Sequence, residues 1–159
     1  EYLLSVLEDL VKRKTEAFLI LVGDGEQRHY IEQKAKELNI YERVIFTGIT
    51  DRVQDYMQAM DVFAMPSTHE GLPLVGVEAQ AAGLPCIFSD VITREMKMTE
   101  TVEFLPIDIE ASTWSEHILK LYNSSDREKG VKCIQEAGYD IKKNASKLLE
   151  FYYKVANGV

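Results

Sequence analysis

Glu70 and Glu78 are separated by seven residues inside HEGLPLVGVEAQAAGLP (69–85), a run that is otherwise apolar and punctuated by glycine. Carboxylates rarely enter core-like segments unless they are paired or used. The stretch THEGLP (68–73) reads as a tight loop feeding a helix near 74–83. The first amides of that helix, at Leu74 and Val75, have no intrahelical acceptor and sit at the positive end of the dipole, which suits phosphate oxygens. Glu70 precedes the helix. Glu78 lies about one turn inside it, where a side chain leans back toward the N-terminus. Two carboxylates so placed face one ligand from two sides, and each accepts paired hydrogen bonds from vicinal hydroxyls of a sugar or ribose. The plainer alternative is a solvated loop glutamate followed by a helix-surface glutamate favoured by the dipole. Spacing alone leaves both open.

The elements that must position these residues follow from periodicity. Leu3, Leu4, Leu7, Leu10 and Val11 recur at helical spacing, so the chain opens in a helix. AFLILVG (17–23) is a continuous apolar run ending in glycine, as in a strand buried on both faces. Tyr30, Ile31, Ala35 and Leu38 line a helix, RVIFTG (43–48) is a strand and VQDYMQAM (53–60) a short helix. Strands are expected at DVFAMPS (61–67), CIFSD (86–90) and VEFLP (102–106), and helices near 112–123, 126–137 and 140–156. Alternating strands and helices give an α/β fold with a doubly wound parallel sheet, Rossmann-like, as one domain over 1–159 closed by C-terminal helices at about 112–157. Such a domain ordinarily begins with a strand, whereas this sequence begins inside a helix at Glu1, so a first strand is expected to be missing. That leaves an open sheet edge prone to self-association.

In an open parallel sheet, ligands sit beyond the carboxyl ends of the strands. Those positions are Gly23-Asp24-Gly25, Thr47-Gly48-Ile49-Thr50, Ser67 to Pro73 and Ser89-Asp90. GDG after a strand is common at tight turns, and Asp24 has the plainer role of a helix cap. A formal charge of −8 on 159 residues argues against nucleic-acid binding and anionic-membrane docking, both of which need clustered Lys and Arg. The one basic cluster, Lys12-Arg13-Lys14, ends a helix and complements its dipole. Cys86 and Cys133 have no CxxC spacing and read as reduced cytosolic thiols. His29, His69 and His117 lack partners at metal-site spacing, so no metal is expected.

HEGLPLVGVEAQAAGLPCIFSD resembles the E-x7-E region of retaining, nucleotide-sugar-dependent glycosyltransferases of family 4, which have the GT-B fold. LILVGDGE, ERVIFTG, MDVFAMPS and NASKLLEFYYKV stand in that family's order and at its spacing. The wording EGLPLVGVEAQAAGLPCIFSD is similar to bacterial exopolysaccharide and capsule enzymes, cytoplasmic proteins working at the inner membrane face. The resemblance implies the C-terminal, donor-binding half of a GT-B enzyme, with UDP- or GDP-sugar as donor substrate and no metal or cofactor. It implies that Glu70 is the catalytic-site carboxylate on the donor sugar and that Glu78 holds the ribose hydroxyls. Backbone amides of Gly71, Leu72, Leu74 and Val75 would meet diphosphate or sugar. Gly23, Thr47, Gly48 and Ile49 would border the nucleotide, with Ile49 and Thr50 near the base.

The departures matter as well. The family's Arg–Lys pair lies upstream of the first helix here, with the strand that carries it, and neither is in this sequence. Gly71-Leu72-Pro73 stands where many relatives have Gly-Phe-Gly, which removes one amide donor. Val91–Glu100 differs from the family's glycine-rich loop. The acceptor domain is expected to be absent from this chain and the fragment to be inactive alone. A glycan or lipid-linked acceptor would then be met through the missing N-terminal domain. Two other readings are open at this point: a nucleotide-sugar 2-epimerase-like enzyme, and a non-catalytic nucleotide-binding module.

Overall fold

A computed structural model describes residues 1–158. Helix α1 (Tyr2–Lys12) buries Leu4, Val6, Leu7 and Leu10. These four point two ways. Leu4 and Leu7 pack with Ala35, Ile40 and Val44, whereas Val6 and Leu10 pack with Ile87, Trp114 and Leu121. One helix therefore covers two separate apolar layers, and Val6, outside the expected stripe, is part of the reason.

The remaining elements alternate as expected: β1 (Leu19–Val22), α2 (Arg28–Glu37), β2 (Val44–Gly48), α3 (Val53–Ala59), β3 (Phe63–Met65), α4 (Leu74–Ala81), β4 (Cys86–Ser89) and β5 (Val102–Leu105). Three helices follow, α5 (Ala111–Leu121), α6 (Gly130–Glu136) and α7 (Ile141–Ala156). All pairing between strands is parallel. Among the described residues the strands form two sheets, β1-β2 and β3-β4-β5, rather than one continuous layer. This corrects the expectation of burial for AFLILVG. β4 has a neighbour on each side and is buried throughout, whereas β1 pairs on one side only and its four residues stay half-buried.

Two boundaries have local causes. β3 spans Phe63–Met65 and stops before Pro66, which has no N–H to continue a ladder. α6 starts at Gly130 rather than near 126, because Asp126 and Arg127 turn back against α4: Asp126 N–H bonds to the Gly83 carbonyl at 3.1 Å. The main core joins Val77, Leu84, Phe88, Met96 and Ile134, so α4 and β4 are packed on by the loop after β4 and by α6. α7 is capped by Asp140, whose side chain accepts from the amides of Lys142 and Lys143, and none of its residues is buried. Both cysteines are free, and burial pushes the Cys86 thiol pKa well up. Among the described residues, no helix is long and apolar enough to cross a membrane.

Candidate functional site

The carboxyl ends of the two sheets each present one group of the expected residues. At the larger sheet, β3 leads through Pro66 and Ser67 into the loop 68–73. Pro73, buried, then serves as the N-cap of α4 with an extended backbone, φ −72° and ψ 111°. No side chain caps that helix, and the Gly76 N–H takes the Pro73 carbonyl at 2.9 Å. The amides of Leu74 and Val75 lie ahead of it, in the turn where a helix leaves its donors unpartnered. Proline at this position gives up only an amide from that same set.

On α4 the residues Gly76, Val77, Ala79 and Gln80 face the core. Leu74 and Glu78, four apart, share the exposed strip, with Leu74 65% exposed. Glu78 thus lies one turn behind the open amides, on the strip that Leu74 also exposes. Glu70 and Gly71 are exposed in the loop just before them, and Leu72 is 38% exposed. Neither carboxylate has a partner among the described residues. Anions at a helix N-terminus normally use such amides, and free carboxylates beside them suit a ligand that carries hydroxyls next to its phosphate.

At the smaller sheet, Gly23 follows β1 and Gly48 ends β2. The Gly23 N–H bonds to the Gly48 carbonyl at 3.1 Å. Both have positive φ, 118° and 68°, a region that favours glycine. Thr47 Oγ1 lies 2.9 Å from the Gly48 carbonyl and 3.5 Å from that of Leu21, which ties the two strand ends together. Ile49 follows and is 89% exposed, and the Thr50 hydroxyl accepts from the Arg52 N–H at 3.0 Å. Asp24 does not cap α2, whose N-cap is Gln27. Its carboxylate accepts instead from the Gly25 N–H at 2.8 Å and from Arg28 at 3.2 Å. Arg28 also pairs with Glu32 and lies 5.5 Å from the centre of the Phe46 ring. Its charge is spent inside this corner.

The expected residues therefore form two clusters, Glu70–Gly71–Leu72–Leu74–Val75–Glu78 on one sheet and Gly23–Thr47–Gly48–Ile49 on the other. Neither lines the cleft of about 500 Å³ against Cys133 and Tyr139 or the one of about 350 Å³ against Phe104 and His117. Among the described residues no group of three His, Cys, Asp or Glu is placed to hold a metal ion.

Three residues that matter to the site's framework were missed in the sequence. Gln80, with no exposure, donates to the carbonyls of Gly76 and Met96 and accepts from the amides of Met98 and Thr99, fastening the loop after β4 to the back of α4. Ser89, equally buried, donates to the Ser67 carbonyl. Arg127 donates to four carbonyls, those of Met57, Gln58, Met60 and Ala82. For the first two the available signal was a polar residue inside an apolar run. Arg127 stands in a charged stretch and gave none.

The family described as "Glycosyl transferases group 1" matches residues 1–124. The glycosyltransferase EpsF of Bacillus subtilis is 38% identical over 154 residues, covering 95% of this chain and 40% of EpsF. The Escherichia coli UDP-Gal:alpha-D-GlcNAc-diphosphoundecaprenol alpha-1,3-galactosyltransferase is 35% identical over 77 residues, 48% of this chain and 20% of that enzyme. The chain thus spans well under half the length of either. Among solved structures, the pneumococcal O-GlcNAc transferase GtfA in complex with UDP and GlcNAc superposes with a TM-score of 0.79 at 19% identity, over 98% of this chain and 33% of GtfA. That likeness confirms the α/β architecture with parallel strands. With that match covering residues 1–124 of its 159, the chain belongs to the group 1 glycosyl transferases.

Proposed function

We propose that this chain is the donor-binding half of a retaining glycosyltransferase, one that moves a sugar from UDP or GDP to a growing polysaccharide or lipid-linked glycan. The observation that carries this reading is the pairing of an uncapped helix N-terminus with two exposed, unpartnered carboxylates, Glu70 in the loop just before it and Glu78 one turn inside it. The amides of Leu74 and Val75, with those of Gly71 and Leu72, meet the diphosphate or the sugar. Glu78 accepts the ribose hydroxyls from one turn behind. Glu70 holds the sugar hydroxyls beside the anomeric carbon. The Gly23–Gly48 corner closes on the nucleoside, with Ile49 against the base. EpsF and the Escherichia coli galactosyltransferase support the transferase class, and the UDP in GtfA supports the donor type.

Departure of the diphosphate needs positive potential where charge develops. In this chain the α4 amides supply it, and no metal is required of these residues. The acceptor would be bound by other parts of the full enzyme, which would work in the cytoplasm at the inner membrane face. The chain alone is then expected to bind donor without transferring it. Two-dimensional 1H–15N spectra recorded with UDP and with GDP test the assignment. Shifts concentrated at Gly71, Leu74, Val75, Glu78, Thr47 and Gly48 are the expected result. Shifts confined to the Cys133–Tyr139 cleft would overturn it, as would exchange of the C2 proton of UDP-N-acetylglucosamine on the chain alone.

A further inference from the structure

Resting on the donor-binding reading, we propose that the Ser89 hydroxyl is the positioning group that fixes where Glu70 stands. The β3–β4 ladder runs through Phe63↔Cys86, Ala64↔Ile87 and Met65↔Phe88. The next residue of the leading strand is Pro66, which has no N–H, so the backbone pairing ends there. Glu70 lies four residues beyond that point, in a loop whose carboxylate is exposed and has no partner of its own. Something other than the ladder must set the direction in which the loop leaves the sheet.

Ser89 does this. It is the last residue of β4 and has no solvent exposure. On its far side β4 is held by pairing with β5, Ser89 opposite Leu105, and the Asp90 N–H bonds to the Leu105 carbonyl at 3.0 Å. On the near side its Oγ donates to the Ser67 carbonyl at 2.5 Å. The side chain thus adds one interstrand bond just past the proline, where the backbone cannot. A buried hydroxyl is costly unless bonded, and β4 is otherwise Cys-Ile-Phe. From Ser67 the loop runs to Pro73, buried at the start of α4. Between these two anchors, among the described residues, the other side-chain bond is local, His69 to Thr68 at 3.1 Å. Glu70 sits three residues from each anchor, and the Ser67 end is the one held by a side-chain hydrogen bond. Glu78 rides on α4, which Gln80 fastens independently through Met96, Met98 and Thr99.

Releasing the Ser67 carbonyl therefore loosens Glu70 and leaves Glu78 in place. Ser89→Ala removes one oxygen from a buried site and is expected to fold. Backbone 15N relaxation is the first arm of the test. Ser89→Ala should lower the amide order parameters at Thr68, His69, Glu70 and Gly71 below their wild-type values while those of Gly76–Ala81 stay as in the wild type. The second arm is calorimetric titration with UDP and UDP-glucose, and with GDP and GDP-mannose. Ser89→Ala should bind the bare nucleotide within twofold of wild type and lose about tenfold of the extra affinity conferred by the sugar. In a Glu70→Ala background, Ser89→Ala should add nothing further, because both changes remove the same contact. Unchanged order parameters in 68–71 overturn the proposal whatever the ligand data show. So does equal weakening of nucleotide and nucleotide-sugar, or additivity with Glu70→Ala. A wild-type chain that binds no nucleotide, with the relaxation result as expected, sinks the donor-binding reading and leaves the hold of Ser89 on the loop standing.

Discussion

Arg127→Ala should be among the most damaging single substitutions in this chain. The guanidinium reaches the carbonyls of Met60 at 2.6 Å, Ala82 at 2.7 Å, Met57 at 3.1 Å and Gln58 at 3.4 Å. These carbonyls close the C-terminal ends of α3 and α4, where helices present unpaired acceptors and negative dipole charge. One planar, five-donor group thereby joins two helices to the segment leading into α6. Hydrogen bonds from a charged donor contribute about 1.5–3 kcal/mol each, and water can replace the longer, more exposed ones. Counting only the two short bonds at the lower figure gives about 3 kcal/mol. That is a large share of an ordinary domain's 5–15 kcal/mol or so. For a chain of this size each kcal/mol shifts the melting temperature by about 2–4 °C, so the midpoint should fall by about 6–12 °C. Differential scanning calorimetry with a parallel urea titration reads both quantities. Arg127→Lys keeps the charge but not the fork, and should recover less than half of the loss. An Arg127→Ala midpoint within 2 °C of wild type would refute the reasoning.

Other outcomes follow from the same packing. At Gly130 an added Cβ would meet the Gln80 carbonyl oxygen at 2.5 Å, the Gly83 nitrogen at 2.7 Å and the Ala81 oxygen at 2.8 Å, all of them backbone. Gly130→Ala must therefore part α4 from α6, and should cost on the order of 3 kcal/mol in chemical denaturation. Burial works against ionisation of Glu103, but its hydrogen bond to His117 and the charges of His117 and Lys120 outweigh it and hold its carboxyl below the usual range. A depressed carboxylate stabilises the fold above its unfolded pKa and loses that contribution as pH falls through the folded one. Stability should therefore drop on acidification below about pH 4.3, and His117→Asn should flatten the drop. The open edges of the two sheets are expected to drive association at high concentration, so elution volume in size-exclusion chromatography should shift with loading. A constant monomer volume would count against it.

Much of the fold could be read from periodicity alone. The strand and helix order follows from runs such as AFLILVG and CIFSD, and Asp140 announces the start of α7 as a side-chain cap should. What sequence patterns could not carry is pairing. AFLILVG has the composition of a strand covered on both faces, yet burial depends on having neighbours on both edges, and β1 has β2 alone. α7 shows the same limit: periodicity marks a helix near 140–156, while its apolar residues are all exposed. In the candidate site, Glu70 and Glu78 were legible because carboxylates contrast with an apolar run. Gln80 and Ser89 carry the same contrast but act on carbonyls and amides far along the chain, at Met96 and Ser67, which no local spacing reveals. Asp24, read as a helix cap, turns out to brace the GDG turn and Arg28, because α2 starts later, after Gln27.

Calorimetric titration of the chain with UDP and with GDP, repeated on Glu78→Ala, tests the donor-binding role most directly. Saturable binding of one nucleotide at micromolar to millimolar concentration, weakened at least tenfold by Glu78→Ala, is the expected result, since the carboxylate's hydrogen bonds to ribose are charge-assisted. Saturable binding that Glu78→Ala leaves unchanged would contradict it, because the exposed strip of α4 would then have no part in holding the nucleotide.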